Sequence, residues 1–119
     1  MDLPVPFHVG VSRRGPRVIF APEGELDIAT AEMLRQAMRR QSPGADVIVL
    51  DLRGLAFMDT AGIQLLLEQQ RRSAEEGASF ALVRGSDHVH RLLDIAGLTP
   101  MLRILDGPED PIDETSPTT

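Results

Sequence analysis

The spacing of apolar residues changes near Asp59, where a pattern typical of a strand gives way to one typical of a helix. Residues 47–52 form an almost continuous apolar run, which favours a strand buried on both faces. After Asp59 and Thr60, apolar side chains recur at the helical spacing, at Ile63, Leu66 and Leu67. Aspartate or threonine before such a helix indicates an N-cap, because the side-chain oxygen accepts a hydrogen bond from an unpaired backbone N–H. The pattern therefore places Thr60 at the start of a helix.

The N-terminal third predicts a hairpin followed by a helix. Apolar residues alternate with polar ones over residues 7–12, residues 18–21 are apolar, and a short turn separates the two strands. The short turn predicts antiparallel pairing. Pro22 is expected to end the pairing of the second strand, because proline has no N–H to donate. Asp27 is then the predicted N-cap of a helix that extends to about residue 41.

The C-terminal part predicts the same alternation of strands and helices. Gly77 is expected to end the helix that starts at Thr60. Residues 79–83 then form a buried strand, and Ser86 caps a short helix that Gly97 ends. Residues 101–105 form a last short strand. Strands joined through helices are expected to be parallel, so we predict a single α/β domain with a mixed sheet of four to five strands packed with helices.

The domain is predicted to span residues 1–105, followed by a tail over residues 106–119. The tail contains five acidic residues, no basic residue and three prolines. Such a segment has too little apolar surface to offset the entropy of ordering it, so we predict that it is disordered.

Charge and composition narrow the functional class. The net charge is −6, and all 12 basic residues are arginine, which argues against a general nucleic-acid binder. Without lysine there is no phosphate-binding loop of the nucleotide-hydrolase type, and without cysteine there is no thiolate chemistry. The N-terminus lacks the features of a signal peptide, and no apolar run reaches the roughly 18 residues that span a bilayer. We therefore expect that the protein lies in the cytoplasm and does not associate with a membrane.

Candidate catalytic and metal-binding residues have simpler explanations. His88 and His90 lie two positions apart, so they do not share a helix face, and a third ligand is not evident. The stretch that starts at Asp59 resembles an aspartic-protease signature, but that chemistry requires a second aspartate that shares the proton. Asp27, Asp51 and Asp59 can converge at strand ends, where capping is their simplest role. We expect that the protein is not an enzyme and that it binds no metal or cofactor.

Thr60 has two interpretations that the pattern alone leaves open. It can be an N-cap hydroxyl, or it can be a regulatory phosphorylation site. The second is compatible with its place, because unpaired N–H groups and the helix dipole favour an anion at a helix N-terminus.

Three motifs together resemble the STAS domain and, more narrowly, the bacterial anti-sigma factor antagonists. They are Gly-Glu-Leu-Asp at residues 24–27, Val-Leu-Asp-Leu at residues 49–52 and Phe-Met-Asp-Thr-Ala-Gly-Ile at residues 57–63. The pattern at residues 91–98 also resembles the third helix of that family. The resemblance covers roughly residues 7–105 and implies a STAS-like mixed sheet.

The resemblance implies partner switching. In that family the unphosphorylated antagonist binds an anti-sigma factor, usually a serine/threonine kinase, and frees the sigma factor. The kinase phosphorylates the hydroxyl residue after the motif aspartate, which ends binding, and a metal-dependent phosphatase reverses the reaction. By position, Thr60 is the acceptor, and the implied partner-binding residues are Asp27, Met58, Asp59, Thr60, Ala61 and Gly62. The free antagonist is expected to be a monomer.

One departure from the family and two other function classes stay open. Many members have serine at the acceptor position and a second hydroxyl residue after it, whereas this chain has Thr60 and Ala61. The domain can instead be a STAS subunit of a stress-sensing scaffold or of a lipid-transport complex. It can also be a nucleotide-binding STAS module.

Overall fold

Strands and helices alternate along residues 6–112, the part of the chain that the computed structural model describes. The strands are β1 (His8–Arg14), β2 (Arg17–Leu26), β3 (Val47–Asp51), β4 (Leu55–Met58), β5 (Ser79–Val83) and β6 (Arg103–Leu105). The helices are α1 (Ala31–Gln41), α2 (Thr60–Glu76) and α3 (Asp87–Ile95). Single 3-10 turns precede β4, at Leu52–Gly54, and β6, at Thr99–Met101. Within the described range, no helix is long and apolar enough to cross a membrane.

The strands form one mixed sheet in the order β1-β2-β3-β5-β6. β1 and β2 are antiparallel, and the other pairs are parallel. β4 lies off this path and pairs in parallel with the last residues of β2. The predicted α/β class, the mixed sheet and the first hairpin are therefore confirmed.

The sheet has six strands among the described residues, whereas the sequence predicted four to five. The additional strand is β4, for which the sequence predicted no strand. β4 has a pairing partner because β2 extends beyond β3. The pairing of β2 with β3 ends at Phe20 and Leu50, while β2 continues to Leu26. The 3-10 turn connects the end of β3 to β4, which lies beside β2. Glycine is required at position 54 because a Cβ there would lie 2.9 Å from the Pro22 carbonyl oxygen.

Pro22 does not end β2, contrary to the sequence-based prediction. It pairs with Val9 of β1 and is followed by four more strand residues, as far as Leu26. On the side of β2 opposite to β1, Pro22 lies between two pairings. Phe20 is the last residue of β2 that pairs with β3, and Gly24 is the first that pairs with β4. Proline is tolerated where the ladder needs no N–H, and this gap supplies such a place.

The two faces of the sheet carry separate apolar clusters. The larger one joins strand residues to all three helices, with Leu34, Leu66 and Leu93 as fully buried helix contributions. The smaller one, on the opposite face, centres on Ile19, Val49 and Val83. Residues 47–52 contribute to both clusters, so the predicted strand buried on both faces is confirmed.

Residues 106–112 depart from the prediction of a disordered tail. Arg17 donates hydrogen bonds of 2.7 Å to the carbonyl oxygens of Pro108 and Asp110. The Asp110 carboxylate in turn accepts from the N–H groups of Asp106 and Gly107. Alternation along β2 puts Arg17 on the same face as Ile19, so this segment is held over the smaller cluster. The rest of the predicted tail, residues 113–119, lies outside the described residues, and the boundary of the domain at residue 105 stays a prediction.

We expect substitutions in the larger cluster to be strongly destabilising. Leu50 and Leu66 are fully buried, one on β3 and one on α2. Replacing either by alanine should lower the free energy of unfolding by about 2–5 kcal/mol, from lost burial and the cavity left behind. Urea denaturation of each variant measures this, and unchanged midpoints for both would contradict the assignment of the core.

We also expect Arg17 to contribute to stability through the two carbonyl oxygens that it binds. Arg17→Met keeps much of the aliphatic packing but removes both hydrogen bonds, and it should lower the free energy of unfolding by about 1–3 kcal/mol. Arg14→Met is the matched control. Arg14 lies at the same hairpin and is mostly exposed, and its side chain forms a 3.9 Å ion pair with Glu109. Its effect should stay within about 0.5 kcal/mol. Equal effects of the two variants would show that the carbonyl contacts are not stabilising.

Candidate functional site

The loops that follow β2 and β4 lie side by side at one edge of the sheet. Leu26 pairs with Met58 in the parallel register, and the Asp59 N–H donates to the Leu26 carbonyl oxygen at 3.1 Å. Both strands therefore end at the same level. The two loops that follow them, from Asp27 and from Asp59, therefore start next to each other.

Asp59 is the cap of α2, and Thr60 is the first residue of the helix. The Asp59 carboxylate accepts the Ala61 N–H at 2.8 Å, and its carbonyl oxygen accepts those of Gly62 and Ile63. Thr60 is exposed, and none of residues 6–112 forms a hydrogen bond with its hydroxyl. The sequence left open whether Asp59 or Thr60 caps the helix. These hydrogen bonds assign the capping role to Asp59.

Asp27 organises a turn rather than the first turn of α1. Its Oδ1 accepts the N–H groups of Ala29 at 2.9 Å and Thr30 at 3.1 Å. The Thr30 hydroxyl accepts the Asp27 N–H at 3.0 Å and donates to the Glu25 carbonyl oxygen at 2.7 Å. The helix begins only at Ala31, three residues later than a cap at Asp27 predicts. The prediction is corrected because these bonds close a separate turn over residues 27–30.

Two of the residues expected to bind a partner are buried in the core. Met58 is only 1% exposed, and Gly62 is buried beside it. A Cβ at position 62 would lie 2.5 Å from the Met58 Cγ, so glycine is what lets the first turn of α2 pack on β4. In this conformation Met58 and Gly62 therefore contribute to the packing of α2 on β4, and a direct partner contact through either of them stays a prediction. Ala61 is partly buried.

Asp51 does not join the other two aspartates. It is 7% exposed and its carboxylate forms an ion pair with Arg53, with the shortest contact at 2.7 Å. Burial alone would raise the pKa of Asp51, but hydrogen bonds from the side chain and N–H of Arg53 outweigh it and hold the pKa below the usual value. The carboxylate is thus committed to the turn that leads into β4.

The two histidines have separate structural roles. The Nε2 atom of His90 accepts the Gly85 N–H at 2.8 Å. The His88 ring stacks on Phe57, with ring centroids 5.8 Å apart. Residues 6–112 contain no group of three or more side chains that could hold a metal ion.

Sequence reasoning missed one prominent feature of this surface. Ile28 lies at the tip of the turn over residues 27–30, and its side chain is 85% exposed. A signal was present, because an isoleucine directly after Asp27 precedes the apolar stripe of α1 and belongs to no strand. Phe57, on β4, is another large apolar side chain near this edge, at 38% exposure.

Comparison with known proteins agrees with this architecture. The STAS domain matches residues 6–115, nearly the full length of the chain. The chain belongs to the STAS domain family. Among curated relatives, an anti-sigma F factor antagonist of Paenibacillus polymyxa is 38% identical over 88 residues, which cover 70% of this chain and 73% of that protein.

Solved structures of two other antagonists share the fold. An anti-sigma factor antagonist from Mycobacterium paratuberculosis aligns with a TM-score of 0.78 at 19% identity, covering 90% of this chain and 92% of that one. The antagonist SpoIIAA in its unphosphorylated form aligns with a TM-score of 0.71 at 24% identity, covering 87% and 91%. The phosphorylated form of SpoIIAA, a Bacillus cell fate determinant, aligns with a TM-score of 0.65 at 23% identity, covering 87% and 95%.

The His90 contact makes stability dependent on pH. Burial and then the charge of Arg84 lower the pKa of His90, and protonating Nε2 would break its bond from Gly85. The unfolded chain binds this proton more readily, so the stabilisation is complete above about pH 6.5 and is lost as the pH falls through the lowered value. His90→Gln keeps an acceptor without titrating.

Denaturation between pH 7.5 and 5.5 should therefore show a smaller loss of stability in His90→Gln than in the parent. The same loss in both proteins would show that His90 does not carry this dependence.

Proposed function

We propose that this STAS domain is an anti-sigma factor antagonist. In its unphosphorylated form it binds an anti-sigma factor that is a serine/threonine kinase, and this binding frees the sigma factor. The observation that carries the proposal is the exposed Thr60 hydroxyl, unengaged within residues 6–112, at the start of α2. The name of the Paenibacillus polymyxa relative supports the same function.

Phosphorylation of Thr60 is the proposed switch. The Thr60 Oγ attacks the γ-phosphorus of ATP bound to the kinase, the bond from that phosphorus to the bridging oxygen breaks, and ADP leaves. The hydroxyl proton passes to a base of the kinase. SpoIIAA, which shares the fold, has been solved in both forms, so in that protein the fold carries a phosphoryl group. A metal-dependent phosphatase would hydrolyse the ester and restore binding.

The local hydrogen bonds explain why the added charge would act on the partner. Ala61, Gly62 and Ile63 already donate their N–H groups to Asp59, so the start of α2 has little left to neutralise a phosphate. The group adds about −1.5 to −2 charges at neutral pH beside the Asp59 carboxylate. Docking would then have to desolvate that charge, so the complex weakens while the fold persists.

The remaining parts of the proposal concern the location, the oligomeric state and the contact residues of the protein. The antagonist acts in the cytoplasm as a monomer when free, without a cofactor or catalytic activity of its own. Asp27 and Asp59 border the contact, and Thr60 lies at its centre. The placement of Asp27, Asp59 and Thr60 at the contact is supported by the position of the two loops at one edge of the sheet.

We expect Thr60→Asp to weaken binding to the kinase at least about tenfold, or ~1.4 kcal/mol, because it places a charge where the hydroxyl docks. Thr60→Ala should bind like the parent and should resist release by ATP. The partner is the kinase that the parent captures from host lysate with ADP, and titration calorimetry with ADP measures the affinities. Mass spectrometry after incubation with ATP should find one phosphate, on Thr60.

Ser12→Asp is the matched control for added charge, because Ser12 is exposed on β1, away from the end of β4. It should leave the affinity unchanged. Binding of Thr60→Asp and of phosphorylated Thr60 that equals the parent would contradict the switch. Thr60 would then serve only as the first residue of α2.

A further inference from the structure

Ile28 is the most exposed of the large apolar side chains within residues 6–112, at 85%. Single exposed apolar residues are common and need no explanation by themselves. This one differs because it lies on a constrained turn next to the proposed acceptor. A rigid, exposed apolar side chain loses little conformational entropy when a partner covers it, so binding retains most of the gain from burial.

Hydrogen bonds of the residues on either side of Ile28 fix the turn that exposes its side chain. Four hydrogen bonds among Glu25, Asp27, Ala29 and Thr30, between 2.7 and 3.1 Å, close the backbone around it. None of these bonds uses the side chain of Ile28. The Asp27 carboxylate accepts two of these bonds through Oδ1, and it thereby positions Ile28.

The register of the sheet places Ile28 near Thr60. Leu26 and Met58 are paired, and the Asp59 N–H binds the Leu26 carbonyl oxygen, so each of the two residues lies two positions beyond a paired residue. The turn that carries Ile28 therefore starts beside the residues that lead into Thr60.

The charge around this turn indicates the chemistry of the partner. Glu23 and Glu25 are exposed on the last part of β2, and Asp27 and Asp59 follow the paired strands. The nearby Arg53 is already paired with Asp51. The surface around Ile28 is thus acidic, and basic side chains on a partner would complement it.

We propose that Ile28 anchors the contact with the anti-sigma factor by entering an apolar pocket that is bordered by basic side chains. The inference rests on the proposed function and adds the residue that supplies affinity. Thr60 then acts as the switch and Ile28 as the anchor. Two separate positions on the same surface therefore control release and recognition.

The test compares two isoleucines of similar exposure. Ile28→Ser should weaken binding to the captured kinase at least about tenfold, because the anchor no longer fills its pocket. Ile95→Ser is the control. Ile95 is 77% exposed at the C-terminal end of α3, and this helix runs back from the end of β5 toward the start of β6, away from Thr60. Its substitution should change the affinity less than twofold.

Three further measurements separate the anchor from a structural role and test the basic border. Both serine variants should keep the melting temperature of the parent, since neither side chain is buried. Ile28→Leu should recover most of the affinity. The association rate should fall with added salt in the parent, and Glu25→Gln should reduce that dependence.

The outcomes distinguish the anchor from the function on which it rests. If Ile28→Ser binds like the parent while Thr60→Asp binds weakly, the anchor is wrong and the proposed function stands. Equal losses in Ile28→Ser and Ile95→Ser would also overturn the anchor. If the parent binds no anti-sigma factor kinase at all, both proposals fail.

Discussion

The arrangement of the candidate site depends on the pairing of β4 with the overhanging end of β2. β2 is ten residues long, and its pairing with β3 stops at Phe20. The unpaired remainder would leave backbone groups without partners, and β4 satisfies them on that side. This pairing fixes where β4 ends, and with it the start of α2. It also brings the turn at Asp27 beside Thr60.

Burial beneath the surface keeps this geometry in place. Met58 and Gly62 are packed together with Leu26, and the contact between Gly62 and Met58 leaves no room for a side chain at position 62. The family motif therefore combines two roles. Its buried residues hold the first turn of α2 against β4, while Asp59 caps the helix and leaves the Thr60 hydroxyl exposed. A hydroxyl presented in this way can be modified without disturbing the core.

The opposite face of the sheet illustrates how a polar segment can be ordered. Residues 106–112 lack the apolar content of a folded element, yet Arg17 binds two of their carbonyl oxygens. The Asp110 carboxylate satisfies two N–H groups within the segment. These hydrogen bonds offset the entropy of ordering the chain, which a count of acidic residues and prolines does not take into account.

Local signals in the sequence determined most of the elements. The apolar run at residues 47–52 specified a strand buried on both faces, and Asp59, Ser86 and Gly77 marked helix ends that the structure confirms. These signals depend on periodicity and on side chains within a few residues of the backbone groups that they bind. The motifs around residues 24–27 and 57–63 likewise sufficed to indicate the STAS family.

Only the tertiary structure decided which residues reach the surface and which loops meet. The strand character of β4, the burial of Met58 and the anchoring of residues 106–112 all require partners distant in the sequence. The exposure of Ile28 depends on the turn closed by Asp27 and Thr30, which displaced the expected helix start. Periodicity describes one element at a time, whereas these features arise from the register between elements, which no local pattern encodes.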